Sequence, residues 1–298
     1  MMSNIGLTAK RAFPAAQSIA SQNLGSQTRN MATLKEIQLR LKSITNISKI
    51  TKSMKMIAST KTARAQRAME ASRQNGIIAN TTVEASGVSA AEGDKKLIIV
   101  SSSDKGLCGG IHSSVSRYVR TYIKDHPEEK VVVLGDKSKS QLVRMVPNNL
   151  MYSFNQIGRV SPTFEESCAI ATKILEEPEF AFDTADIVFN KFVSAISYEP
   201  QVLTCYSKEK FENSPNYAAF EIPDSVIDNY NEFLFATNIH WAIVEGHASE
   251  MAAKRAAMDN ATSNANDLIG KLTLQYNRGR QAVITNQLIE VITGASAL

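Results

Sequence analysis

From Asp224 to about Thr293 the chain runs about 70 residues without a proline, and the spacing predicts a single helix over the whole stretch. At 1.5 Å per residue that helix is on the order of 100 Å long. A compact domain made from all 298 residues measures only about 45–50 Å across. The helix therefore projects beyond its own protein. Its abundant Val, Ile, Leu and Met then require another surface around it.

A second long helical pattern opens the region after residue 31, over about Thr33 to Ser86. Leu34, Ile37, Leu41 and Ile44 keep the 3–4 spacing of a coiled-coil seam, and Ile47, Ile50, Met54 and Ile57 continue it after a three-residue step. Such a step is a stammer, which overwinds a helix locally. On the C-terminal helix the matching seam is read through Val226, Tyr230, Phe233, Leu234, Val244, Met251, Met258, Leu268, Leu272 and Tyr276. The Ala-rich segment Ala248 to Ala261 allows close approach.

Between the helices the pattern changes. Leu97–Val100 and Val131–Leu134 are continuous apolar runs, as in strands buried on both faces. Ile187–Phe189 and Val202–Tyr206 read as two more strands. Helical stretches fall at His112–Lys124, Lys137–Met145 and Phe164–Glu177. This alternation predicts a small Rossmann-like α/β domain with a largely parallel sheet. The fold class is thus α/β: two long antiparallel helices forming a coiled-coil stalk, with that domain inserted as a foot. The expected divisions are 1–31, 32–94, 95–222 and 223–298, with residues 95–222 folding alone.

Residues 1–31 differ in kind. No acidic residue precedes Glu36, while Lys10, Arg11, Arg29 and Lys35 lie among Ser, Ala, Gln and Asn. A basic, Ser-rich, acid-free leader is the mitochondrial transit pattern. Arg29 stands three residues before Ala32, as in a matrix-protease site. No apolar run approaches the roughly 18 residues that span a bilayer, so membrane association is expected to be indirect. Cys108, Cys168 and Cys205 are widely spaced, which argues against a disulfide framework or zinc site.

Catalytic constellations are not evident. Ser101 to Gly110 follows the first strand and precedes a helix, where a phosphate loop sits in nucleotide-binding folds. Its glycines are not spaced GxGxxG, and GxxxxGK[ST] is absent. A tight turn usable for docking is the expectation. Cys108 is read on an exposed turn near Lys105, with no base partner suggested. His240 and His247 share a helix face as surface or seam positions.

Charge is informative. From Ala32 to Asn75 there are ten Lys and Arg against Glu36 and Glu70, and so lopsided a field faces something acidic. Nucleic acid is one candidate, but no aromatic residue lies between Pro14 and Arg117 to stack a base. An acidic protein partner fits the charge equally and the projecting shaft better. At the other end, Val283, Ile284, Leu288, Ile289, Val291 and Ile292 cover an arc of about 240°, far wider than a surface stripe. Such a tip needs enclosure or folds back onto the foot.

Three separated segments resemble the gamma-subunit family of the mitochondrial ATP synthase: Ala32–Ile37 through Lys49–Ala58, Ser103–Gly109, and Arg280–Thr285 onward to Gly294–Ser296. The resemblance covers the chain from residue 32. It implies a non-catalytic rotary shaft that couples proton-driven turning of a membrane ring to ATP synthesis, with no cofactor, metal or nucleic acid. It implies alpha and beta subunits around the tip, and delta, epsilon and the c-ring at the foot. The implied location is the matrix side of the mitochondrial inner membrane, peripherally. Coupling positions carried over are Met54, Lys55, Arg280, Gln281, Thr285 and Gln287, with Lys49, Lys52, Lys61 and Arg64 as a secondary basic set. Gln287 stands where the family typically has Glu, so an ion pair there lacks its charge. A basic coiled-coil nucleic-acid binder and a small nucleotide-binding α/β enzyme are the two rival classes.

The leader reading predicts cleavage between Met31 and Ala32, with mass spectrometry of the mature protein finding Ala32 at its N-terminus. A mature protein starting at Met1 or Met2 overturns the import signal.

Overall fold

The computed structural model describes residues 33–91, 93–220 and 222–296. The leader read over residues 1–31, and its junction before Ala32, lie outside them. Helix α1 spans Leu34–Ser86 and helix α6 spans Asp224–Ser296. Between them come β1 (Lys96–Ser101), α2 (Ile111–Asp125), β2 (Lys130–Leu134), α3 (Asp136–Leu142), β3 (Leu150–Phe154), α4 (Phe164–Glu176), β4 (Thr184–Phe192), β5 (Tyr198–Tyr206) and α5 (Lys208–Glu212). The strand order is β3-β2-β1-β4-β5, parallel except for β5.

Local chemistry sets the ends of these elements. Thr33 starts α1 through a capping box: its hydroxyl accepts from the Glu36 N–H, and the Glu36 carboxylate accepts from the Thr33 N–H. Gly87, at φ +69°, stops α1 in the left-handed conformation that glycine adopts without strain. Thr163 and Glu166 repeat the box at α4. Strand β3 is the one strand that apolar runs did not mark. It is a sheet edge with Met151 and Tyr152 exposed, so it has no continuous buried run to read. Helix α3 ends at Leu142 rather than Met145, since Pro147 lies just beyond and disfavours helix before it.

Alternate residues of the sheet face opposite layers. Ile98, Val100, Val131, Val133 and Val188 pack with Val115, Val119, Ile123 and Leu142 of α2 and α3. Leu97, Ile99, Val132, Leu134, Ile187 and Phe189 pack with Ile170 and Ile174 of α4 and with Phe235, Ala236, Ile239, Ala242 and Ile243 of α6. One face of the foot is therefore closed by the shaft itself. Residues 95–222, expected to fold alone, would on excision keep α4 on this sheet face and lose the α6 side chains that complete it.

Helices α1 and α6 pack antiparallel, with Leu34 over Gly279 at one end and the Tyr230 hydroxyl donating to the Ala79 carbonyl, 3.1 Å away, at the other. The seam differs from the one read by hydrophobicity. On α1 it runs through Ile37, Leu41, Ile44, Ser48, Thr51, Lys55, Ala58, Thr62, Ala65, Met69, Ser72 and Gly76, an unbroken 3–4 spacing without a stammer. Ile47, Ile50 and Ile57 lie outside it, 45%, 56% and 56% exposed. Their places are taken by polar pairs: Ser48 donates to Asn266 Oδ1 (2.8 Å), Thr262 to Thr51 Oγ1 (2.8 Å), and Lys55 Nζ to Asp259 Oδ1 (2.7 Å). On α6, Leu234, Val244, Met251, Met258 and Leu272 are buried as expected, whereas Val226, Phe233 and Leu268 are exposed. Near the foot the seam turns apolar: Ala65 and Met69 meet Val244, Ala248 and Met251.

One polar cluster ties these layers together. The carboxylate of Glu245 on α6 is fully buried. It accepts from Arg73 of α1, from the Phe192 N–H of β4 (3.2 Å) and from Trp241 Nε1 (3.0 Å). Arg73 Nη2 also donates to the Phe192 carbonyl (3.2 Å). The Trp241 ring lies over Gly76, where an added Cβ would sit 2.6 Å from Cε3.

Two stability outcomes follow. Arg73→Ala leaves a buried carboxylate without its cation and should lower stability by about 3–5 kcal/mol, read as a lower denaturant midpoint. Gly76→Ala should destabilise by about 1–3 kcal/mol through overpacking on Trp241, despite the helix preference for Ala of about 1 kcal/mol. A higher midpoint for Gly76→Ala would show that the indole yields freely.

Candidate interaction surface of the shaft

The outward face of α1 alternates apolar and basic side chains. Ile47, Ile50 and Ile57 are exposed, and Lys49, Lys52, Lys61 and Arg64 are exposed among them. These four cations make no ion pair among the described residues. Met54 is half-buried beside the seam. Lys55 is half-buried and engaged by Asp259 at 2.7 Å, so it serves the helix pairing as well as any outer partner.

The remaining coupling candidates stand elsewhere. Arg280, Gln281, Thr285 and Gln287 are exposed on α6, beyond the point where Leu34 begins α1. Thr285 Oγ1 donates to the Gln281 carbonyl of its own helix at 2.9 Å. Asp259, opposite Lys55, is 21 residues from Arg280, on the order of 30 Å along the axis. The shaft thus carries two separated groups, one at mid-shaft and one at the tip. From Arg280 to Ser296 every residue is exposed, including Val283, Ile284, Leu288, Ile289, Val291 and Ile292 at 41–71%. The tip does not fold back on the foot.

Inside the foot, the crevice at the C-terminal ends of β1 and β4 is where strand order reverses and where doubly wound sheets hold ligands. Here α6 fills it with His247 and Glu250. The cavity left between them, Ser103, His112 and Asn190 is about 20 Å³. That is room for about one water, against the roughly 300 Å³ or more of ligand pockets. Burial, with Lys105 and Lys61 nearby, pushes His247 down to about 4, so it is neutral. Burial raises the Glu250 carboxyl, while Ser103 hydrogen-bonds to it.

The turn after β1 also differs from expectation. Cys108 is 2% exposed rather than on the surface. Its Sγ lies 3.4 Å from the Lys105 carbonyl and 3.2 Å from His112 Nε2. Sequence reading found no base partner because His112 comes from the next helix. The pair still forms no activated nucleophile: burial pushes the thiol up to about 11 and the His112 imidazole down. Leu107, at φ +64°, is the residue that points outward. His240 is fixed by Ser167 Oγ at 3.2 Å.

Arg73 and Glu245 were missed as a unit, Arg73 being counted only in the basic field. The available signal was Glu245 at helical seam spacing in a segment, Asp224–Ala253, without Lys or Arg.

A family model described as "ATP synthase" matches residues 33–298. The mitochondrial ATP synthase subunit gamma of Yarrowia lipolytica is 46% identical over 292 residues, covering 96% of this chain and 97% of the relative. A chain in the OSCP/F1/c-ring structure of Euglena gracilis mitochondrial ATP synthase superposes with a TM-score of 0.74 at 17% identity, covering 89% of this chain and 94% of that one. The likeness extends to a chain in the central stalk/c-ring structure of Tetrahymena thermophila mitochondrial ATP synthase, at a TM-score of 0.59 and 27% identity, covering 71% and 99%. With sequence match, fold and the two-helix shaft in agreement, the chain belongs to the mitochondrial ATP synthase gamma-subunit family.

Proposed function

We propose that this chain is the central rotary shaft of a mitochondrial proton-translocating ATP synthase. It has no catalytic role of its own and lies peripherally on the matrix side of the inner membrane. The observation that carries the reading is the tip: 17 consecutive residues from Arg280 to Ser296 exposed on every side with six large apolar side chains. Only an enclosing sleeve keeps such a surface from water. The alpha and beta subunits supply that sleeve. The foot rests on the c-ring with the delta and epsilon subunits, in keeping with the central stalk and ring of the Tetrahymena relative.

The shaft acts by being unequal around its circumference. Basic and apolar side chains project from the α1 side, so each beta subunit meets a different surface as the shaft turns. Contacts that favour one state of a site over another shift its population between open and closed forms. Non-directional apolar contact at the tip lets the shaft turn without a deep trap. Lys49, Lys52, Lys61 and Arg64 meet acidic loops at partial exposure, giving orientation more than affinity. Met54 and Lys55 act at mid-shaft, and Arg280, Gln281, Thr285 and Gln287 at the neck of the tip. In these terms residues 32–94 and 223–298 are the stalk, residues 95–222 the foot, and residues 1–31 an import leader.

The tip tests the proposal. Leu288→Ile should cost under about 1.5 kcal/mol in the assembled complex. Leu288→Asp should leave the melting temperature of the isolated chain within experimental error, because the site is solvent-exposed there. In the complex it buries an unpaired charge, a loss of roughly several kcal/mol, and assembly or oligomycin-sensitive ATPase should fail. Normal assembly and coupling with Leu288→Asp overturns the sleeve.

Neutralising Lys49, Lys52, Lys61 and Arg64 together should lower ATP-driven proton pumping in complexes of normal subunit composition. Exposed pairs contribute only about 0–1 kcal/mol each, so assembly should survive. Wild-type pumping per ATP hydrolysed would remove the electrostatic role.

A further inference from the structure

The cavity between α6 and the carboxyl ends of β1 and β4 exists because small residues wall it. Ser101, Ser103, Gly158 and Gly246 line it, and a Cβ added at Gly246 would stand 3.6 Å from Ser101 Oγ. Polar atoms without partners converge there. Among the described residues eight buried side-chain polar atoms find no hydrogen-bond partner within the protein. Three of them, Glu250 Oε1, Asn190 Oδ1 and His247 Nδ1, belong to residues around this one space. Unmet buried polar groups are costly, and native structures seldom gather three of them in one place.

Neighbouring bonds fix what each atom can do. Asn190 Nδ2 donates to the Ile111 carbonyl at 3.0 Å, so the orphaned end of this amide is its acceptor oxygen. Ser103 Oγ accepts from the Lys105 N–H at 3.3 Å and therefore gives its own proton to the Glu250 carboxylate. Glu250 Oε1 is left as a second acceptor. Burial, then Lys105 and Lys61, push His247 down to about 4, and a neutral imidazole can carry its proton on Nδ1. Two acceptors and one donor thus face room for about one water.

The surroundings select among occupants. Lys105 and Lys254 stand near Glu250, and Lys105 and Lys61 near His247. A bound cation would be repelled by that field. No group of three or more His, Cys, Asp or Glu able to hold a metal ion occurs among the described residues. A water molecule is neutral, donates twice and accepts from the third atom.

We propose that this cavity binds one ordered water, which donates to Glu250 Oε1 and Asn190 Oδ1 and accepts from the His247 Nδ1–H. The water joins α6 to β4 and, through Glu250 and Ser103, to the turn after β1. Ser249 Oγ donates to the Asn190 carbonyl at 3.0 Å, so α6 holds the same strand residue directly and through solvent. A bridging water is nearly as favourable in enthalpy as a direct hydrogen bond. The site is a second polar link between foot and shaft, about one turn of α6 beyond Glu245. It stands on the foot alone and is independent of any sleeve around the tip.

A structure of the assembled complex at a resolution that shows ordered solvent should place one oxygen-sized peak about 2.7–3.2 Å from each of the three atoms. Absence of the peak overturns the proposal, as does direct contact of Glu250 with Asn190 through a carboxyl proton. A peak about 2.0–2.6 Å from these atoms, the reach of a metal ion, overturns it too. In solution, oxygen-17 relaxation dispersion of the full chain counts waters held inside for long times. Glu250→Gln keeps the size of the side chain and an acceptor oxygen, and should keep the wild-type count. Glu250→Met, of similar size but without oxygen, should lower the count by one. An equal count in the wild type and Glu250→Met overturns the proposal. Should Glu250→Met fail to fold, the peak in the wild-type structure decides alone.

Discussion

A buried carboxylate cannot stand alone, and the architecture of this chain turns on how Glu245 is satisfied. Its partners come from three parts of the sequence: Arg73 from α1, the Phe192 N–H from the last residue of β4, and Trp241 from its own helix. Each removes part of a desolvation penalty that would otherwise be several kcal/mol. Foot and shaft are thereby fixed to each other at one point. Apolar packing of Phe235, Ile239 and Ile243 under the sheet adds area to the joint, while the Glu245 cluster sets its register. Torque applied to the foot enters the helix pair through this joint.

Further along, the balance between inside and outside is inverted. Ser48, Thr51 and Lys55 occupy the seam and bond to Asn266, Thr262 and Asp259. Ile47, Ile50 and Ile57 face out. Polar seam residues cost stability but specify register, because a slipped pairing leaves hydrogen-bonding groups unmet. The apolar residues that a self-sufficient coiled coil would keep inside are given to the outer surface. That side of the shaft is thus an apolar surface of the kind that marks an interaction site.

Much of this was legible in the residues. Proline-free length gave both long helices, and continuous Val and Ile runs gave β1 and β2. The helical pattern read from about Thr33 placed the start of α1 to within one residue. The same reasoning misplaced the mid-shaft seam, because it followed hydrophobicity where the packing is polar. It missed β3, whose exposed edge has no apolar run. It set Cys108 outside, since a left-handed Leu107 that turns the next side chain inward has no sequence signature. It could not pair Arg73 with Glu245, which are 172 positions apart in the chain. The coupling candidates were found by resemblance to family motifs. The structure divides them between mid-shaft and tip.

The pairing of α1 with α6 ends at Gly279, where Leu34 lies across the glycine, and this has a mechanical consequence. Below that point a twist must deform two helices cross-linked by hydrogen bonds and packed side chains. Above it, 17 residues of single helix carry the same moment. The shaft is therefore a rod of graded torsional stiffness, rigid at the foot and most compliant at its free end. A twisting load applied at the free end would therefore wind the single helix more than the paired shaft below it.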